Sequence, residues 1–356
     1  MSNGGLTRPL SSFVVRLLLS LSLPTLQAVV GVSVAWTQEY GYQDVKPRDV
    51  PDHWKGLIGE YALEGDTVSV LERDGQLALM SGSGKVFLLR ELERDACRID
   101  NPTSPFGASI TFRRGEGGLA ILLESARGQF RRLFIGGPGG DALRIKPRRP
   151  VEILRAQALR ARPPAESGKF AKSDLVELTA LDSTIALDIR YATTNNFMGA
   201  VFYSQARAFL QRPAAEALVR AHRALKRFGY GLLIHDAYRP WYVTKMFWDA
   251  TPNHQKIFVA DPSKGSRHNR GCAVDLSLYD LGSRKPVEMV SGYDEFSYRA
   301  FSGYQGGTSL QRWHRDLLRK VMEVEGFKVY EWEWWHFDFR DGRRYQIGTV
   351  SFEEIH

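Results

Sequence analysis

Two hydrophobic periodicities that cannot share one core divide this chain. From residue 52 to 146, apolar and polar residues alternate over short runs. Val68 and Val70 lead into an Asp74-Gly75 pair, Leu77 and Leu79 follow it, and further runs cover 108–113, 119–124 and 129–135. A period of two belongs to strands that bury one face, and Asp-Gly or glycine-rich breaks between them belong to tight turns. Beyond residue 174 the spacing changes to that of helices. Ala214, Ala217, Leu218, Ala221, Leu225 and Phe228 keep it up to Gly229; Leu310, Trp313, Leu317, Val321 and Val324 keep it up to Gly326, with Thr308 placed to cap. Strands are expected at 231–235 and over the aromatic run 327–339. A length of 356 residues accommodates two cores. The expected architecture is a small all-β accessory domain over 52–146 and an α+β domain over 174–356, the latter a mainly antiparallel sheet with flanking helices.

The charge is as unevenly distributed as the apolar residues. Lys and Arg number 48 against 40 Asp and Glu, a net charge of +8. Residues 144–172 hold nine basic residues and only Glu152 and Glu166 as acids, so this stretch carries +7 of that excess. Its four prolines (Pro147, Pro150, Pro163, Pro164) mark 147–173 as a basic linker. The rest of the chain is almost neutral, which argues against nucleic acid as a partner. A weak contact of the basic stretch with an anionic cell envelope is the one interaction its charge invites. With 43% hydrophobic and 25% charged residues the chain is of globular composition, and two cysteines exclude a disulfide-stapled scaffold.

Residues 1–35 have the form of an export signal. Arg8 and Arg16 precede the apolar runs 17–23 and 28–35, and Ser33-Val34-Ala35 supplies small residues at a cleavage site. The expected location is the periplasm or the extracellular space, with the signal either cleaved or retained as an anchor. Beyond residue 35 no apolar run is long enough to span a bilayer. Cys97 and Cys272 fall in different expected domains, and their pairing in an oxidising compartment stays open.

Three short segments concentrate the chemistry: His235-Asp236-Ala237-Tyr238-Arg239-Pro240, Ser266 to Asp275, and Glu333-Trp334-Trp335-His336. His268, Asp275 and His336 make a two-imidazole, one-carboxylate set that suits Zn²⁺. Three protein ligands leave a fourth position for water, the catalytic arrangement. Glu333 is placed to accept the proton of that water. In a flat strand, however, Glu333 and His336 would point to opposite faces, since their separation is odd. The backbone near Trp334-Trp335 must therefore bulge, bend or turn. Gly271 is expected to supply the loop before Asp275 enters its strand, with Cys272 facing the core.

Ser-x-His-x-x-Gly-x-Ala-x-Asp followed by Glu-x-x-His resembles the zinc signature of the D-alanyl-D-alanine dipeptidases. The runs Ile189-Arg190-Tyr191-Ala192-Thr193, Asn196-Phe197 with Gly199, 229–233 and 236–240 match in the same order, so the resemblance covers 174–345. It implies a zinc peptidase domain with one zinc ion per chain on His268, Asp275 and His336, and Glu333 as catalytic base. It also implies Arg239 as the group that stabilises the tetrahedral oxyanion. Ser266 would lie near the substrate carboxylate and Asp294 would take the substrate ammonium; Asp236, in the segment of Arg239, joins the expected substrate-binding residues.

The implied reaction is hydrolysis of D-Ala-D-Ala, or a similar D,D-dipeptide, to free amino acids in cell-wall peptide metabolism. The segments between Arg239 and Ser266 and between Phe296 and Thr308 are shorter than in the family's resistance enzyme. A shorter pocket rim keeps a second reading open, a zinc carboxypeptidase trimming D-Ala from longer peptidoglycan stem peptides. Oligomeric state is not legible in the chain.

Overall fold

The computed structural model describes residues 45–135, 144–340 and 342–355. The expected export signal at 1–35 lies outside the described residues. Among the described residues no helix is long and apolar enough to cross a membrane. The chain divides into two compact units, one built mainly from 52–133 and the other mainly from 134–356.

The first unit corrects the expectation of a generic small β-domain. After a one-turn helix, α1 (Asp52–Lys55), come eight strands: β1 (Gly59–Leu63), β2 (Asp66–Arg73), β3 (Gln76–Met80), β4 (Val86–Glu93), β5 (Ala96–Ile99), β6 (Ser109–Arg114), β7 (Ala120–Ser125) and β8 (Gly128–Arg132). They form a closed barrel in sequence order, sealed where Tyr61 and Ala62 of β1 pair antiparallel with Arg132 and Arg131 of β8. Closure removes the sheet edges that an open sheet of this size would expose. The alternation read in the sequence is the inside–outside alternation of this wall. Tyr61, Val68, Val70, Leu79, Phe106 and Phe130 belong to its buried core. Asp74 and Gly75 both have positive φ (51° and 83°), as a two-residue hairpin between twisted strands requires.

The second unit contains a five-stranded sheet: β10 (Ala186–Leu187), β12 (Tyr230–Asp236), β13 (Ala273–Asp280), β15 (Glu333–Phe339) and β14 (Phe327–Tyr330), in that spatial order. Only β10 runs parallel to its neighbour, so the sheet is mainly antiparallel. A small pair, β9 (Leu175–Glu177) with β11 (Phe209–Gln211), stands apart, and a one-turn helix α3 (Leu178–Leu181) follows β9. Helices α4 (Arg212–Leu225) and α6 (Ser309–Val324) pack on the sheet, α4 on β12 and α6 mainly on β14. Ala214, Ala217, Leu218, Ala221 and Leu225 of α4 are buried, and Gly229 (φ 84°) closes the following turn in the left-handed conformation. Thr308 and Gln311 cap α6 reciprocally. Its buried face includes Trp313, Leu317 and Val321, whereas Val324, expected on that face, is 77% exposed in the last turn.

Two further expectations are corrected. The run 327–339 is two strands rather than one, because the chain reverses at Glu331-Trp332 and returns along itself as a hairpin. The basic stretch is not a free linker. Val151–Arg160 forms helix α2, which packs on α5 (Trp241–Ala250) and buries Leu154 and Ala158. Downstream, Glu166 pairs with Arg270 at 2.6 Å and accepts the Ile347 N–H at 2.8 Å. The prolines flank this helix instead of interrupting it, and VEILRAQALR is composed almost wholly of good helix formers.

Candidate metal centre

Three adjacent strands and one turn assemble the site. In the β13–β15 register Asp275 lies opposite His336, and in the β12–β13 register Asp236 lies opposite Asp275. One end of the sheet thus lines up three functional backbones. The remaining ligand comes from His268 on a 3₁₀ turn (His268–Arg270), which ends at Gly271 with φ 68°. The positive φ calls for glycine at this turn, and a Cβ there would also press on the movable Leu175 Cδ2 at 2.6 Å. Cys272 is buried, and neither it nor Cys97 is in a disulfide.

His268, Asp275 and His336 are buried, and one ligand atom from each lies within 4.8 Å of the others. His268 Nε2 is 3.2 Å from His336 Nδ1; Asp275 Oδ1 is 2.9 Å from His336 Nδ1 and 3.4 Å from His268 Nε2. The outer atoms of both rings are committed elsewhere. His268 Nδ1 lies 2.7 Å from the Ala237 carbonyl and His336 Nε2 3.2 Å from Asp338 Oδ1. Carbonyl and carboxylate oxygens only accept, so the outer nitrogens carry the protons and the inner nitrogens face one another. Asp338 also pairs with Arg267.

The electrostatics point the same way. Burial works against the charged form of Asp275, yet the charges and hydrogen bonds of His268 and His336 hold its carboxyl well below the usual range. Burial likewise opposes the His336 imidazolium, but its N–H donation to Asp275 and Asp338 pushes it up to about 10, so the cluster favours a proton, or another cation, at the inner Nδ1. The cluster attracts positive charge, and a donor set of two imidazole nitrogens and one carboxylate oxygen fits a divalent cation of the zinc type.

Glu333 lies where the sequence demands a backbone irregularity. Val329 pairs with Phe337 but Tyr330 pairs with Glu333, a register shift that places three extra residues on β15. Across this bulge Glu333 Oε2 comes within 3.9 Å of His336 Nδ1. Burial and the charge of Asp275 raise its carboxyl, partly offset by His336, His268 and Arg239.

Arg239 is buried, its Nε and Nη2 donating to Asp236 Oδ2 at 3.0 and 2.6 Å, and its guanidinium lies 5.0 Å over the Phe247 ring. Asp236, expected at the substrate, is wholly buried. Its Oδ1 accepts from Tyr203 and from the Ala237 N–H, and its Oδ2 is taken by Arg239. A carboxylate occupied on both oxygens orients Arg239 and has no lone pair turned to a substrate; this corrects the sequence reading. Ser266 is half-buried, and its hydroxyl accepts the His268 N–H at 3.3 Å, so it supports the ligand turn.

Asp294 sits in a left-handed conformation (φ 57°), which an Asp tolerates. Its Oδ2 accepts the Tyr191 hydroxyl at 2.9 Å. Burial, reinforced by Asp275, pushes its carboxyl well above the ordinary range. The sequence reading passed over Asp338, Tyr203 and Tyr293 altogether. Asp338 had a signal, since it lies two residues from His336 on one strand and shares its face; the tyrosines had none, because their contacts span 18 to 102 residues.

Residues 171–353 match the family described as D-Ala-D-Ala dipeptidase, Peptidase M15, which is half of the chain. Curated relatives carry the same name. The D-alanyl-D-alanine dipeptidase of Escherichia coli (strain K12) is 33% identical over 180 residues, covering 51% of this chain and 92% of that protein. The one from Enterococcus faecium is 34% identical over 175 residues, covering 43% and 85%. The one from Streptomyces coelicolor is 29% identical over 186 residues, covering 47% and 92%. The barrel lies outside the family match. With the ligand cluster inside it, this match makes the chain a member of the D-Ala-D-Ala dipeptidase family of metallopeptidases.

Proposed function

We propose that this protein is a zinc dipeptidase that hydrolyses D-Ala-D-Ala, or a similar D,D-dipeptide, to free amino acids in cell-wall peptide metabolism. The observation that carries the reading is the convergence of His268, Asp275 and His336 with Glu333 3.9 Å from His336. His268, Asp275 and His336 would hold one zinc ion, which would supply Lewis-acid polarisation of the scissile carbonyl. Glu333, its carboxyl raised by burial, takes the proton of the attacking water and passes it to the leaving amine. Arg239, kept protonated and fixed by Asp236, faces the negative charge that develops on the carbonyl oxygen. Asp294 pairs with the free ammonium of the dipeptide, and Ser266 stands at the carboxylate end. The segment 1–35 supports export to the compartment where such peptides occur.

Asp294 supports the dipeptidase over the carboxypeptidase. Burial and Asp275 favour the neutral acid of Asp294, so only a free ammonium gives its carboxylate a counter-charge, and acylating that amine removes the ion pair. Turnover of D-Ala-D-Ala by the zinc-loaded protein is expected to exceed that of N-acetyl-D-Ala-D-Ala by about 100-fold or more. Equal rates on the two would sink the dipeptidase reading and leave the carboxypeptidase.

A further inference from the structure

The ligand carboxylate has two oxygens, and only one faces the histidines. Asp275 Oδ1 stands 2.9 and 3.4 Å from the two imidazole nitrogens, while Oδ2 accepts the Tyr293 hydroxyl at 3.1 Å. The Tyr293 ring is itself held on two sides. It stacks on His235 at 4.7 Å with 22° between the planes, and Trp335 meets it edge-on at 5.6 Å. His235 lies 3.4 Å from the Asp188 carboxylate, so the stacking partner is anchored in turn. The Tyr293 oxygen is also 3.2 Å from that of Tyr191, whose hydroxyl reaches Asp294. The Tyr191 oxygen is thus the alternative acceptor for the one Tyr293 proton, beside Asp275.

We infer that Tyr293 is a positioning residue for the metal: by occupying Asp275 Oδ2 it leaves Oδ1 as the single ligating oxygen and fixes the plane of the carboxylate. The inference rests on the zinc reading above. Its physical basis is that a tetrahedral ion with three protein ligands wants one oxygen from its carboxylate, and a carboxylate free to rotate must be ordered when the ion binds. The hydroxyl performs that ordering beforehand. Because Tyr191 touches the same phenol, the hydroxyl that orders Asp275 also lies next to the partner of Asp294.

The test is zinc affinity of the full chain, measured after stripping with a chelator and titrating Zn²⁺ against a chromogenic competitor. Tyr293→Phe keeps the ring and its stacking and removes only the hydroxyl. Its zinc affinity is expected to fall by about 10–100-fold, the usual effect of losing a partner of a metal ligand. The thermal melt of the stripped protein is expected to stay that of the unsubstituted chain. Tyr191→Phe is the matched control, the same deletion one hydrogen bond further from the ligand, and should bind zinc within about threefold of the original. Equal affinity in Tyr293→Phe and the unsubstituted protein overturns the inference and leaves the zinc reading standing. Equal weakening in both variants also overturns it, since the effect would then be general loosening. Failure of the unsubstituted protein to bind zinc removes the reading and the inference together.

Discussion

At the residue scale, Glu333 and Asp236 show how the same functional group takes opposite roles. Both are carboxylates within one cluster. Asp236 has Tyr203, the Ala237 N–H and Arg239 on its oxygens, so it is a fixed acceptor. Glu333 has burial and a neighbouring anion acting on it, which raise its carboxyl above its ordinary value. Glu333→Gln should therefore lower kcat by about 10²–10⁴-fold, the usual loss for a general base. Zinc content, read by atomic absorption, should be unchanged, because Glu333 is not among the three ligands. Loss of the metal along with the activity would reassign Glu333 to the ligand set.

At the scale of elements, the sheet and its helix communicate through His222. This histidine of α4 is fully buried; its Nδ1 accepts the Leu232 N–H of β12 at 3.1 Å, and its Nε2 lies 2.8 Å from Thr184 Oγ1. Protonating Nδ1 would expel that backbone donor. Burial accordingly pushes the imidazole down to about 4 from an ordinary 6.5. The folded state thus binds its proton less readily than the unfolded chain. The stabilising contribution is complete above about pH 6.5 and is lost as pH falls toward 4, amounting to about 3 kcal/mol at most. Denaturant titrations at pH 7, 5.5 and 4 should show this slope, and His222→Gln should flatten its share of it. Parallel pH profiles for the two proteins would contradict the assignment. The legibility of elements followed the range of the interactions behind them. Helix α4 with its glycine stop, the Thr308 cap and the Asp74-Gly75 turn could be read because each depends on residues within one or two turns. Helix α2 was missed because its prolines and charge concealed an apolar pair, Leu154 and Ala158, whose partner α5 lies about 90 residues on.

At the scale of the molecule, each unit has its own core, and the ligand cluster belongs to the second one. Binding to a native state alone stabilises it by mass action, by about 4 kcal/mol when the free ion is 1,000 times its dissociation constant. Scanning calorimetry of the zinc-loaded chain is expected to resolve two transitions. Chelation should lower the temperature of one and leave the other, that of the barrel, in place. A shift of both by the same amount would mean that the units unfold as one.

The sequence by itself determined the residues of the site, their order and the two periodicities, because ligand chemistry resides in side-chain type and strand or helix preference in local spacing. It also announced that the backbone between Glu333 and His336 had to depart from a flat strand. Which departure was chosen, a bulge against β14, depended on a neighbouring strand and was decided only in the tertiary structure. The same holds for the closure of the barrel, the burial of Asp236 against Arg239 and the place of Tyr293 behind Asp275. Each is a contact between segments that only the folded chain brings together, and no local pattern carries its energy.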